Sequence, residues 1–219
     1  MNIKNKNYIA ICVIYLLTQL FLVPYLSTYL SKQITLNIYL ISTSLIGISI
    51  LYIMRQPLKE DIKSIKTNKI NLLYLLLVFV GMFILYPLLS FNSKTSNEQG
   101  ILILQNNSIG IYHILFIINL VILVPIVEET IFQYGIQRFL EDRISHLSKL
   151  LSIIITTFLF IIVHGFPSLE LNSYIPYIIL IGYGFFYNLS GKNLFLTIVL
   201  HTIWNSFPYF LYFIIKTIY

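Results

Sequence analysis

Apolar residues fall along this chain in long unbroken runs, not in alternating or one-faced patterns. The runs are residues 8–25, 34–54, 70–91, 116–140, 150–166, 174–189 and 194–219. Apolar stretches of about 17 to 25 residues, wound as helices, match the hydrocarbon thickness of a bilayer. The pattern predicts an all-α, polytopic integral membrane protein. Seven spans follow if the last run crosses once, eight if Pro208 splits it into two shorter helices. Lys4 and Lys6 before the first run imitate a signal peptide. No small-residue cleavage site follows them, so that run is expected to stay as the first span.

Composition sharpens this. Of 219 residues, 58% are hydrophobic and 10% charged, with mean hydropathy +0.84. A soluble domain carries about 25% charged residues, so this chain has too little charge to clothe a water-facing surface. The net charge of +6 is not gathered on one solvated face, as nucleic-acid binding requires, but spread between the apolar runs. Arg55, Lys59, Lys63, Lys66 and Lys69 outnumber Glu60 and Asp61 in the segment after the second run, which is therefore expected in the cytoplasm. Counting runs then places the N-terminus, the 138–149 loop and Lys192 on that same side. Residues 93–107 read as an external loop. Residues 58–69, just after Pro57, read either as an amphipathic helix lying on the cytoplasmic surface or as a solvated linker. Cys12 is the single cysteine, so neither an internal disulfide nor a zinc-thiolate site is available. Ala10 is the single alanine amid abundant Ile, Asn, Lys and Tyr, a bias that fits an AT-rich, low-GC bacterial genome.

Within the fourth run stand Glu128 and Glu129. A carboxylate at bilayer depth costs at least about 2.5 kcal/mol, and two neighbours cannot both ionise cheaply. Their presence points to an intramembrane active or ion site. Two later runs carry His164, four residues after Phe160, and His201, four residues before Asn205. Residues four apart share a helix face, as do Glu129 and Gln133. At 1.5 Å per residue, Glu129 and His201 each lie roughly 14 Å from the basic residue at the cytoplasmic end of their helices, and His164 roughly 22 Å. Glu129 and His201 can thus meet, and His164 joins if its helix tilts. Carboxylates, imidazoles and an amide suit water activation and oxyanion stabilisation. Zinc on Glu128, His164 and His201 is the alternative cofactor, although no HExxH is present. His113 and His146 read as interfacial, Trp204 as belt or core.

The segments 128–133, 160–164 and 201–205, in that order on separate helices, resemble the motifs Glu-Glu-x-x-x-Arg, Phe-x-x-x-His and His-x-x-x-Asn/Asp of the CPBP intramembrane proteases, also known as type II CAAX-processing or Abi proteins. The resemblance spans residues 118–208. It implies a helical catalytic core over residues 111–219, preceded by motif-free transmembrane helices over residues 1–110. It further implies that Glu128 and His164 activate water, Glu129 supports Glu128, and His201 with Asn205 stabilises the oxyanion, with no cofactor. Phe160 and Gln133 would shape the site. Gln133 stands where the family has Arg, giving a dipole in place of a fixed charge, and the usual following Gly is displaced to Gly135. The implied substrate is a peptide or protein tail. In a bacterium that means bacteriocin or pheromone maturation, self-immunity, or regulation through a peptide exporter or sensor partner, at the cell membrane. A scaffold with decayed motifs and a small proton-coupled transporter are the rival readings.

Overall fold

Helix is the only regular structure among the described residues of this computed structural model, which are 6–67, 70–89, 111–144, 148–164 and 175–218. The expected external loop at 93–107, Lys4 and His146 lie outside them. α1 (Lys6–Leu17) runs through a π-wound turn (Thr18–Leu22) into α2 (Val23–Tyr29). α3 (Lys32–Thr67) and α4 (Ile70–Leu89) follow. A central rod is then built from α5 (Ile111–Ile118), a π segment (Asn119–Leu123), α6 (Val124–Glu129), a second π segment (Thr130–Gln137) and α7 (Arg138–Arg143). α8 (Lys149–His164), α9 (Ile175–Leu189) and α10 (Leu194–Ile218) complete the bundle.

The winding has local causes. The π segments Thr18–Leu22 and Asn119–Leu123 each end just before a Val-Pro pair, Val23-Pro24 and Val124-Pro125. Proline offers no N–H to the carbonyl four residues back, and the helix there widens to i→i+5 bonding. Asn119, fully buried, fixes the second widening against α3: its amide donates to Ser44 Oγ (3.0 Å), and its Oδ1 accepts from Thr43 Oγ1 (2.9 Å).

One sequence expectation changes here, and one open choice closes. Residues 58–67 are neither a separate surface helix nor a linker, because α3 continues through Pro57 to Thr67. Docking explains it. Asp61 Oδ2 accepts the Phe195 N–H (3.2 Å), and the Asn193 amide donates to the Asp61 carbonyl (3.0 Å) and to Ser64 Oγ (2.9 Å), so the extension caps the start of α10. Pro208 lies inside one continuous helix, so the last run is a single rod and not two short ones.

Buried Tyr15, Ile50, Val127, Phe132 and Tyr187 meet at the centre, while Leu45, Ile48, Tyr52, Leu73, Leu76 and Phe158 face outward. An apolar exterior around a core containing carboxylates is the reverse of a soluble protein. Among the described residues, Ile34–Ile65 and Tyr112–Arg143 are long and apolar enough to cross a membrane, and Ile70–Gly81, Lys149–His164 and Leu194–Phe207 are shorter apolar helices.

The α8–α9 contact depends on one missing side chain. A Cβ on Gly184 would lie 2.8 Å from Ile153 Cγ2 and 3.1 Å from Gln137 Oε1. Gly184→Ala is therefore expected to lower stability by about 1–3 kcal/mol, read as a lower melting temperature in detergent.

Candidate active site

Just past the end of α9, Gly191 takes φ 74° and Lys192 takes φ 64°, left-handed backbone that glycine adopts freely. The Lys192 N–H closes the turn on the Tyr187 carbonyl (2.8 Å). This places Lys192 Nζ 3.0 Å from Glu141 and 2.8 Å from Asp142 at the end of the rod. Burial draws the Lys192 ammonium down, but these two carboxylates outweigh it and hold it above the ordinary lysine range. Glu141 Oε1 also accepts from Gln137 Nε2 (3.1 Å), Ser152 Oγ (3.0 Å) and Asn188 Nδ2 (2.9 Å). The Asn71 amide donates to the Ser190 carbonyl (3.2 Å). The segments around Asp61, Asn71, Glu141 and Lys192 thus meet at one end of the bundle and fix the depth of the helices.

Deeper in, the rod delivers two carboxylates between its two π segments. His164 Nε2 lies 3.1 Å from Glu128 Oε1, and His201 Nδ1 lies 2.7 Å from Glu129 Oε1. The remaining nitrogen of His201 sits 3.7 Å from Glu128 Oε2, so Glu128 stands between both imidazoles. Glu128, Glu129 and His201 are buried, and His164 keeps 19% of its side chain exposed. The depth arithmetic's pairing of Glu129 with His201 agrees with this contact. His164 also joins, through Glu128 rather than Glu129.

The ring contacts constrain the protons. His164 Nδ1 lies 2.9 Å from the Phe160 carbonyl, which can only accept. With Nδ1–H donating there, the Nε2–Glu128 contact needs one more proton, shared between imidazole and carboxylate. Phe160 stacks flat on His164 at 3.9 Å between centroids and packs on Phe132 at 4.7 Å, which fixes the ring plane. Tyr183 stacks on His201 at 5.1 Å.

Among the described residues, the Asn205 side chain makes no hydrogen bond to the other four. Its amide donates to the Leu120 carbonyl (3.1 Å), inside the π segment that precedes the glutamates. Gln133 is buried, and its Oε1 has no hydrogen-bond partner among the described residues. One residue that motif reasoning missed is Tyr15 of α1, whose hydroxyl donates to Glu128 Oε1 at 3.5 Å. Nothing in its own run marks it.

Among the described residues, no group of three or more His, Cys, Asp and Glu side chains is arranged to hold a metal ion. The imidazole nitrogens facing the glutamates are engaged with carboxylates. The zinc set Glu128, His164 and His201 is therefore not preformed among the described residues.

Residues 110–207 match the family model for type II CAAX prenyl endopeptidase Rce1-like proteins. No curated protein and no solved structure matches the chain. The resemblance carried by the three motifs is shown over this stretch, which contains Glu128, Glu129, Phe160, His164, His201 and Asn205 but not Tyr15.

Proposed function

We propose, with the Rce1-like stretch 110–207 as premise, that this chain is a multi-pass intramembrane endopeptidase of the glutamate type that cuts a peptide or protein tail with activated water. The observation carrying the reading is the double pairing of Glu128 with His164 and Glu129 with His201, brought from three helices into one buried cluster. A water held by Glu128 and His164 attacks the scissile carbonyl carbon, and its proton passes to the pair. The oxyanion so formed is stabilised by His201, oriented by Glu129. As the C–N bond breaks, the pair returns its proton to the leaving amine, giving one acid and one amine per water consumed. Asn205 serves this chemistry through the backbone it anchors at Leu120, or turns toward the oxyanion when substrate binds.

The compositional bias toward a low-GC bacterium favours maturation of a bacteriocin or pheromone peptide, or self-immunity, with the N-terminus and the Lys192 end of the bundle in the cytoplasm. The test is incubation of purified wild type and Glu128→Ala with candidate peptides, read by mass spectrometry. If zinc is not required, 1,10-phenanthroline leaves the wild-type cleavage rate unchanged; inhibition reversed by added Zn²⁺ would instead support the metal alternative.

A second reading has one observation behind it. Gln133 replaces the family's Arg, and its buried carbonyl oxygen is unpartnered among the described residues. A scaffold that binds a membrane partner with decayed motifs accounts for that loss. It predicts a phenotype that survives Glu128→Ala.

A further inference from the structure

The rod, α8 and α9 carry polar side chains into the region where the three helices pack. Along the rod they are Glu129, Gln133, Gln137 and Glu141, every fourth residue. On α8 they are Ser152, Thr156 and His164, on one face with Phe160. From α9 come Asn188, one turn beyond Gly184 at the rim, and Tyr183 at the inner end, where its ring packs among Phe186, Leu196 and Leu200 beside His201. Contacts tie the three faces together at both ends. Glu141 bonds Ser152 and Asn188 at the rim, Gln137 Nε2 donates to the Gly184 carbonyl (3.2 Å) midway, and Tyr183 stacks on His201 beside Glu129.

Between those ends lie polar atoms that the protein leaves unpaired. Glu129 Oε2, Gln133 Oε1, Gln137 Oε1, Thr156 Oγ1 and Tyr183 Oη have no hydrogen-bond partner among the described residues. Their residues are all at least nine-tenths buried. An unsatisfied buried group is costly, so a scattered set of five would be a heavy load. These five are not scattered. They occur on three facing helices over the roughly 18 Å between Glu129 and Glu141. Buried polar groups without a protein partner are ordinarily satisfied by ordered water.

We propose that this seam is a binding site for a file of water molecules leading from the Glu141–Lys192 rim to Glu129 and His201. The inference rests on the peptidase reading for its purpose. Each cut consumes one water, and lipid surrounding the bundle supplies none. Gln133 then acquires a role that an arginine would not fill: its carbonyl accepts a hydrogen bond from water, where a guanidinium only donates.

Hydroxyl-radical footprinting by synchrotron radiolysis tests this on the full chain in detergent, with water itself as the probe. Radicals formed from water beside a buried ring oxidise it in place. The expected result is fast oxidation of Tyr183 and slow oxidation of Phe116, an equally buried ring in a separate apolar cluster with Leu36 and Leu40. Thr156→Val, which keeps the side-chain shape and removes the hydroxyl, should lower the Tyr183 rate severalfold and leave Phe116 unchanged. Tyr183 oxidised no faster than Phe116 in the wild type, or at an unaltered rate in Thr156→Val, would overturn the proposal. Labelling needs no turnover. A chain that cuts no peptide yet labels Tyr183 keeps the water file and loses the peptidase reading, and a chain that cuts peptide with Tyr183 protected does the opposite.

Discussion

Glu128→Ala is expected to slow peptide cleavage by roughly 10²–10⁴-fold, the range for losing a general base, with membrane insertion retained. Among the described residues, Glu128 is the one carboxylate facing both imidazoles, His164 at 3.1 Å and His201 at 3.7 Å. No second group in the cluster has its geometry, because Glu129 is committed to His201 at 2.7 Å. Glu128→Gln is the sharper variant. It keeps the shape and a hydrogen-bonding oxygen but cannot take a proton from water, so its cleavage rate should fall nearly as far. His164→Ala should follow within the same range. Product formation by mass spectrometry, beside melting temperature in detergent, separates lost chemistry from lost fold. A Glu128→Gln chain that cuts at the wild-type rate removes the catalytic assignment.

The largest effect on stability is expected at Glu141. Its side chain is 4% exposed and receives Gln137, Ser152 and Asn188 on one oxygen and Lys192 on the other. Removing a buried acceptor leaves donors aimed at it without a partner, at about 1–3 kcal/mol per group, even though Lys192 keeps Asp142 at 2.8 Å. Glu141→Ala should therefore lower the melting temperature in detergent far more than Asp142→Ala. Asp142 also pairs with Lys192, but it is exposed, and such a pair is worth about 1 kcal/mol or less. Equal melting temperatures for the two variants would show that Glu141 does not hold the helix ends together.

Hydropathy reveals the rods well because each long apolar run has to bury its backbone bonds in helix. Residues 70–91 and 174–189 are recovered almost residue for residue as α4 and α9. It fails where tertiary contacts decide. The 58–67 extension looks amphipathic in isolation, and only Asn193 and the Phe195 N–H, more than a hundred positions away, make it part of α3. The three motifs announce the glutamates and both imidazoles, since buried charge in an apolar run has few explanations. They say nothing of Tyr15, whose run holds no polar period, or of the Leu120 carbonyl that claims Asn205. The seam did leave a mark in the sequence, a polar residue at every fourth position from Glu129 to Glu141. That mark is easy to pass over, because Gln133 attracts attention as a substituted motif position before it is seen as one rung of a ladder.

The widened winding at Thr130–Gln137 separates the glutamates from Gln137 and Glu141 by one residue more than ordinary α-helix needs. Loss of a single codon there would let the segment tighten to ordinary α-helix with its flanks still in register, whereas loss of a second would swing everything beyond it by about 100°, the angle one helical residue subtends. Glu141 would then leave Lys192 while Glu128 kept His164. The reading frame between these two halves is thus under a constraint of length as well as of residue type, and related chains that preserve both clusters should tolerate substitutions in this interval more readily than insertions or longer deletions.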